Sequence, residues 1–386
     1  MQFIDLAYQQ KLIRSQLEKK ILAVLDHGQY IMGPEIKAIE KQLSIFTSAK
    51  HAISCSSGTD ALLMALMAYN IGPGDVVFTT PFTFIATAEV IHLLGAVPVF
   101  VDIDRETFNI DPKQLSKAIA AVSSGDESLY SLPRISRRNL KSKAIIAVDL
   151  FGLPADYHAI NEIAAENRLV VIEDAAQSFG SEYKGQRASA LADVGCTSFF
   201  PAKPLGCYGD GGMCFTDSDE LYEVMDSIRV HGKGTDKYDN IRIGINGRLD
   251  TLQAAVLLSK FSLFPEEIEL RQRVAAKYDE LLSGIPGLQT PRVPDGLKSV
   301  YAQYSVLARD EAHRAHILDA LKNAGIPTGI YYPKPLHQQT AFSYLNYRSG
   351  DFPVSEDSAK RIFSLPMHPY LKSAEQEIIA QTLRVL

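Results

Sequence analysis

The sequence predicts an α/β protein: a mostly parallel sheet sandwiched by helices, followed by a smaller α+β C-terminal domain. Three observations point there. Residues 50–216 alternate short, nearly continuous apolar runs with amphipathic stretches of helical period, the pattern of strands covered on both faces. The 386 residues suffice for two packed domains, and a chain of that size buries roughly three-quarters of its unfolded surface without metal or disulfide support. Hydrophobic residues at 46% and charged residues at 22% match globular averages and exclude collagen-like, coiled-coil and extensively disordered architectures.

The strands are expected at HAISC (51–55), VVFTT (76–80), VPVFVDI (97–103), AIIAVDL (144–150), LVVIE (169–173), VGCTSFF (194–200) and GGMCFT (211–216). TDALLMALMAY, FIATAEVIHLLG and YHAINEIAAENR are the helices between several of them. SSGDESLYSLPRISRRNLKSK (123–143) interrupts the rhythm and reads as a solvated surface insertion; the minority reading is a substrate-phosphate or subunit contact through Arg134, Arg137 or Arg138. From Leu249 to Leu282 the pattern predicts one or two long helices, which lead into the Pro/Gly-punctuated IPGLQTPRVPDG. The division expected is a large domain over 1–248 and a small one over 249–386.

Charge and cysteine content narrow the function classes. A net charge of −6 gives no global electrostatic case for nucleic acid or an anionic membrane, and leaves a local basic patch open. The start, MQFIDLAYQQ, lacks the basic and apolar regions of a signal peptide, and the longest stretch free of Asp, Glu, Lys and Arg is 61–74. Cys55, Cys196, Cys207 and Cys214 show no CxxC spacing and read as small buried hydrophobes. A reduced, cytoplasmic protein is expected.

In such sheets ligands bind at the carboxyl ends of the strands. After the first strand, SSGTDAL leads into a helix: Gly58 permits close backbone approach, Thr59 can cap the helix or bond an oxygen, and the free N–H groups attract an anion. This reads as a phosphate cradle or as a plain strand-to-helix turn. In EDAAQSFG, Asp174 can pair with a positive ring nitrogen or a metal, or cap a helix, and Gln177 offers an amide. In SFFPAKPLGCYGDGG, Lys203 lies in a loop stiffened by Pro201 and Pro204; burial there would lower its pKa towards a useful amine nucleophile, and the alternative is an ordinary surface lysine. Together these are the parts that hold pyridoxal 5′-phosphate. Phe82 of PFTF adds a ring face for stacking, or a core aromatic.

Through GQYIMGPEI, GTDAL, GPGDVV, TFIATAEVI, GAVPVFVDID, VIEDAAQSFG, SFFPAKPLGCYGDGG, RIGINGRLD and SLPMHPYL, the chain resembles the fold-type-I, PLP-dependent sugar aminotransferases of the DegT family. Within it, FFPAKPLGCYGDGG and NGRLDTLQAA are most similar to enzymes that aminate the 3-position of UDP-2-acetamido-2-deoxy-3-oxo-glucuronic acid. The resemblance implies that Lys203 forms the Schiff base, Asp174 binds the pyridine nitrogen, Gln177 approaches the ring hydroxyl and Phe82 stacks on the ring. Gly58, Thr59 and Ser198 would hold the phosphate, with Asn246 from the partner of a homodimer. Arg248 would bind the sugar acid or form an interface ion pair. It further implies ping-pong transfer from glutamate to a keto nucleotide sugar, with pyridoxamine 5′-phosphate as the intermediate form, for surface polysaccharide (O-antigen/LPS) biosynthesis. The alternatives are a 4-keto-6-deoxy sugar aminotransferase, a PLP-binding dehydratase or regulator, and an α/β protein without PLP. Two positions depart from the pattern: Tyr331, where the most similar acid-sugar enzymes have histidine, and Asp149, where many relatives have histidine.

Overall fold

A computed structural model describes residues 1–135, 140–236 and 238–385, so Arg137 and Arg138 lie outside the described residues. The chain begins with α1 (Leu6–His27) and α2 (Pro34–Thr47), then β1 (His51–Cys55), α3 (Gly58–Ala68), β2 (Asp75–Thr79), α4 (Ala86–Leu93), β3 (Val97–Phe100) and α5 (Pro112–Ser124). It continues through β4 (Lys141–Val148), α6 (Tyr157–Asn167), β5 (Val170–Asp174), β6 (Glu182–Tyr183), β7 (Gln186–Arg187), β8 (Val194–Ser198), β9 (Gly212–Thr216) and α7 (Asp219–Ile228). The rest is α8 (Thr251–Lys260), α9 (Phe264–Leu282), β10 (Leu288–Gln289), β11 (Leu297–Lys298), β12 (Tyr304–Ala308), α10 (Glu311–Asn323), α11 (Pro353–Arg361), β13 (Ile362–Leu365) and α12 (Ser373–Arg384).

Helix starts follow local chemistry: Asp5, Ser57, Asp111, Asp156, Ser218 and Asp310 each accept an N–H of the first turn of the helix that follows. The stretch from Leu249 to Leu282 forms two helices, α8 and α9, broken at 261–263.

Seven strands form the central sheet in the order β1-β9-β8-β5-β4-β2-β3. β2, β3, β4, β5 and β8 pair in parallel; β9 runs antiparallel to both β8 and β1, so β1 points the same way as the parallel set. Alternation along the buried strands feeds two cores. Ala144, Ile146 and Ile172 pack with α3, α4 and α7, while Ile145, Ala147 and Val171 pack with α5 and α6. The apolar runs thus read as strands because both faces are covered. A separate antiparallel sheet, β10-β12-β13, carries its own core with residues of α9, α10 and α12. Buried side chains from Leu249 to Ile268 include several that pack with Phe199 and Phe215 of the large sheet's side, while Val274, Ala275, Tyr278 and Leu282 pack with the small sheet.

The 123–143 stretch is not simply solvated. Tyr130 and Leu132 are buried in the large core, the Tyr130 hydroxyl accepts Asp102 N–H at 2.8 Å, and Arg134 pairs with Asp351 at 2.9 Å. Two apolar side chains within a polar stretch suffice to anchor it. All four cysteines are free and buried. Among the described residues, no helix is long and apolar enough to cross a membrane.

Candidate active site

β1, β2, β4, β5 and β8 end at one edge of the sheet, and the turns beyond them bring the expected residues to that edge. Asp174, the last residue of β5, is 6% exposed; its Oδ2 accepts the Thr87 hydroxyl at 2.8 Å and its Oδ1 the Ala176 N–H at 3.3 Å. Burial raises the Asp174 pKa, while the Thr87 bond and the positive charge of Lys203 pull it back. Lys203 sits beyond β8 in a turn closed by its own N–H to Phe200 O (2.8 Å) and by Cys207 N–H to Phe199 O (2.6 Å). Burial lowers the Lys203 pKa and the Asp174 carboxylate opposes that shift. Among the described residues no hydrogen bond or ion pair within 4.0 Å reaches its Nζ, which leaves the amine available for chemistry.

The cradle is built by close approach. A Cβ on Gly58 would stand 2.7 Å from Ser198 Cβ, and one on Gly212 only 2.3 Å from Ser57 O, so neither position has room for a side chain. Ser57, in extended backbone, is the residue that caps α3, accepting Asp60 N–H at 3.0 Å; Thr59 lies inside the first turn and does not cap it. The N–H groups of Gly58 and Thr59 open the helix, where no intrahelical acceptor exists, and form a site for an anion.

Around the edge, Gln177 bridges two elements: its Oε1 accepts Phe151 N–H at 2.8 Å and its Nε2 donates to the Tyr332 hydroxyl at 3.3 Å. Phe151 is held in the left-handed region at φ 59°, a conformation that costs about 1–3 kcal/mol in a residue with a side chain. Phe82 is fully buried, its ring 6.4 Å edge-on from that of Tyr332. Tyr331 stacks neither ring: it lies 6.0 Å from Tyr332 in T geometry and 6.4 Å from Phe3. Asp149 is wholly buried behind this edge.

Asn246 and Arg248 lie on a loop tied to the cradle turn by Ser56 N–H to Gly247 O at 3.0 Å. Asn246 is exposed, and its Oδ1 is taken by the Arg248 guanidinium at 2.6 and 3.2 Å. The surface leading to them exposes Ile241 and Ile243. Sequence reasoning missed Thr87 and Tyr332. Thr87 stands in the quoted TFIATAEVI, but only the packing of α4 over the sheet brings its hydroxyl to Asp174. Tyr332 stands next to the singled-out Tyr331.

A half-buried amine without a partner, a buried carboxylate near enough to shift its pKa, and an open helix start across the same strand edge define the class: a pyridoxal-phosphate enzyme, whose anionic phosphate and cationic ring nitrogen these groups fit. Residues 11–384 match the DegT/DnrJ/EryC1/StrS aminotransferase family, and the chain belongs to that family of PLP-dependent aminotransferases. A UDP-2-acetamido-2-deoxy-3-oxo-D-glucuronate aminotransferase of Pseudomonas aeruginosa is 48% identical over 99% of each chain. The crystal structure of a DegT DnrJ EryC1 StrS aminotransferase from Brucella abortus superposes with a TM-score of 0.93 at 47% identity, covering 100% of this chain and 99% of that one. NtdA from Bacillus subtilis, solved with bound cofactor PMP, superposes with a TM-score of 0.86 at 28% identity, covering 99% of this chain and 82% of that one.

Proposed function

We propose that the chain moves an amino group from L-glutamate to C3 of a UDP-2-acetamido-2-deoxy-3-oxo-hexose or its uronic acid, in the cytoplasm, for surface polysaccharide biosynthesis. The observation that carries this reading is Lys203, an unpartnered, half-buried amine facing Asp174, in a chain so similar to the Pseudomonas enzyme. Pyridoxal phosphate, when bound, supplies the electron sink and holds the amino group between the two half-reactions. Lys203 Nζ anchors the cofactor and, once released, takes a proton from the carbon of the amino donor and returns one to the sugar carbon in the second half-reaction. Asp174 keeps the ring nitrogen protonated, oriented by the Thr87 hydroxyl. Gln177 meets the ring hydroxyl, Phe82 covers the ring, and Ser198 joins the N–H groups of Gly58 and Thr59 at the phosphate.

Asn246 of a second copy completes the phosphate site, so the working unit is a homodimer; exposed Ile241 and Ile243 near that loop, and exposed Phe84 and Phe200 near the site, support it. Arg248 and Tyr331 contact the sugar, Arg248 at a carboxylate where one is present.

The test is a panel of purified UDP- and dTDP-linked 3-keto and 4-keto sugars, run with glutamate and, in reverse, from the amino sugars. Expected are a yellow protein, borohydride fixation of the cofactor to Lys203 and stoichiometric transfer to the 3-keto UDP sugars. Transfer confined to 4-keto-6-deoxy sugars, or a colourless protein indifferent to added cofactor, would overturn the reading.

A further inference from the structure

Two carboxyl groups lie behind the strand edge, unused by the chemistry above. Asp149 follows β4 and Glu173 precedes the last residue of β5, on paired strands where Ala147 faces Glu173 and Val148 faces Asp174; both side chains are fully buried. Asp149 Oδ1 accepts Ala155 N–H at 2.9 Å and the Tyr157 hydroxyl at 2.8 Å, and its Oδ2 accepts the Ser178 hydroxyl at 2.7 Å. Glu173 accepts the N–H groups of Ser189 at 2.5 Å and Leu191 at 3.0 Å. Paired residues share a face of the sheet, so Asp149, two beyond Ala147, is the diagonal neighbour of Glu173, and each carboxyl acts on the other's titration. The titratable groups around them are Tyr157 from α6, Asp174 from β5 and the buried Cys196 thiol from β8, with Lys203 beyond Asp174; no ion pair reaches either carboxyl among the described residues.

Two neighbouring buried carboxyls with no cation of their own cannot both ionise. A single proton between them satisfies the geometry: protonated Glu173 donates, and the Asp149 carboxylate accepts from four sides. We propose that Asp149 and Glu173 share one proton and act together as positioning residues for the turns of Phe151 and Gln177, and so for Gln177 at the cofactor. Asp149 reaches both turns. Its Oδ2 holds Ser178 beside Gln177, its Oδ1 closes the 149–155 turn through Ala155, and its own N–H donates to Asp174 O at 3.1 Å. The Phe151 N–H to Gln177 bond then ties the turns together. Burial pushes both carboxyls up, and for Glu173 the neighbouring Asp149 adds to it. The inference rests on the cofactor reading above for what is positioned, but not for the shared proton.

Asp149→Asn keeps an oxygen for Ala155 and Tyr157 and removes the charge that holds the proton on Glu173. Infrared spectra of the cofactor-free chain over a pH titration should show the C=O band of a neutral carboxylic acid at neutral pH, with a midpoint that falls by about one unit or more in Asp149→Asn. Cofactor affinity, read from the visible absorbance, should weaken roughly tenfold in that variant, the size of one charged hydrogen bond. Ser178→Ala should keep the acid band and weaken cofactor binding by a smaller factor, which keeps the proposal decidable if Asp149→Asn fails to fold. No acid band in the natural chain, a band indifferent to Asp149→Asn, or unchanged cofactor affinity in either variant would overturn it. A cofactor that borohydride does not fix to Lys203 would instead sink the reading of the site and leave the band in place.

Discussion

Arg229, buried, and Lys203, half-buried, are both basic side chains beside the central sheet, and their surroundings are opposite. Arg229, 3% exposed, is met on two sides by Glu40 and Asp226 at 2.5 Å each and donates to Ser54 O at 2.9 Å. Lys203 faces one carboxylate, Asp174, without touching it, and behind Asp174 stand two further carboxyls with no cation of their own. The first cluster is electrostatically closed and holds α7 against α2 and β1. The second is left open, with charges whose partners must arrive from outside. Compensated burial marks a structural cluster and uncompensated burial a chemical one.

The largest expected effect breaks the open cluster at its centre. Lys203→Ala should lower kcat for glutamate-dependent transfer by about 10⁴-fold, the upper range for losing a proton-transfer group, while the variant still binds cofactor non-covalently. Near-normal turnover would show that the amine is not the reacting group. Arg229→Met should do the reverse. Two acids then lose their cation, so stability should fall by about 3–5 kcal/mol in denaturant unfolding, with the cofactor spectrum of the folded fraction unchanged. A stable protein with an altered spectrum would erase the contrast.

A pH series sharpens the same contrast with a smaller signal. The folded chain keeps one proton on the Asp149–Glu173 pair that the unfolded chain releases near a pKa of about 4. Its contribution to stability is therefore fully present below that value and is lost as pH rises through the pair's titration, which burial raises well above the ordinary carboxylate range. Arg229 stays charged throughout and adds no slope. Urea unfolding should show a flatter pH dependence in Asp149→Asn than in the natural chain; equal slopes would separate the pair from stability.

Gly58→Ala places a Cβ 2.7 Å from Ser198 Cβ and should cost about 1–3 kcal/mol of cofactor affinity with the fold retained. Tyr332→Phe, which removes one hydrogen bond to Gln177, should cost about 0.5–1.5 kcal/mol in the same titration.

Much of the open cluster was legible because its residues follow apolar runs: Asp174 and Lys203 stand where a parallel sheet places its ligands, and Gly58 sits between a strand and a helix. The closed cluster drew no attention. Arg229, Glu40 and Asp226 come from separate segments, and ion pairing across them depends on how α2, α7 and β1 meet. Thr87 and Tyr332 escaped for the same reason: one hydroxyl is turned towards Asp174 only by helix packing, and the other arrives from 245 residues beyond Thr87. In Ser56-Ser57-Gly58-Thr59, three side chains could have capped α3, and only the extended backbone of Ser57 selects among them. The direction of β9 was hidden as well, since a buried strand has the same composition whichever way it runs.

That reversed strand sets an order of assembly. β1 finds no neighbour in the sheet until β9 is in place, because β9 alone joins it to β8. Gly58 and Ser198, whose contact forms the cradle, are 140 residues apart, and β9 follows later still. A chain emerging from the ribosome therefore makes α3 long before β8, β9 and α7, which help to bury it, and before the anion site beside it exists. Cofactor capture comes after the large sheet closes, and the affinity gained stabilises only molecules that have completed that closure. The cofactor thus doubles as a seal on correctly threaded chains, and a purified sample's yellow colour would count how many had been threaded.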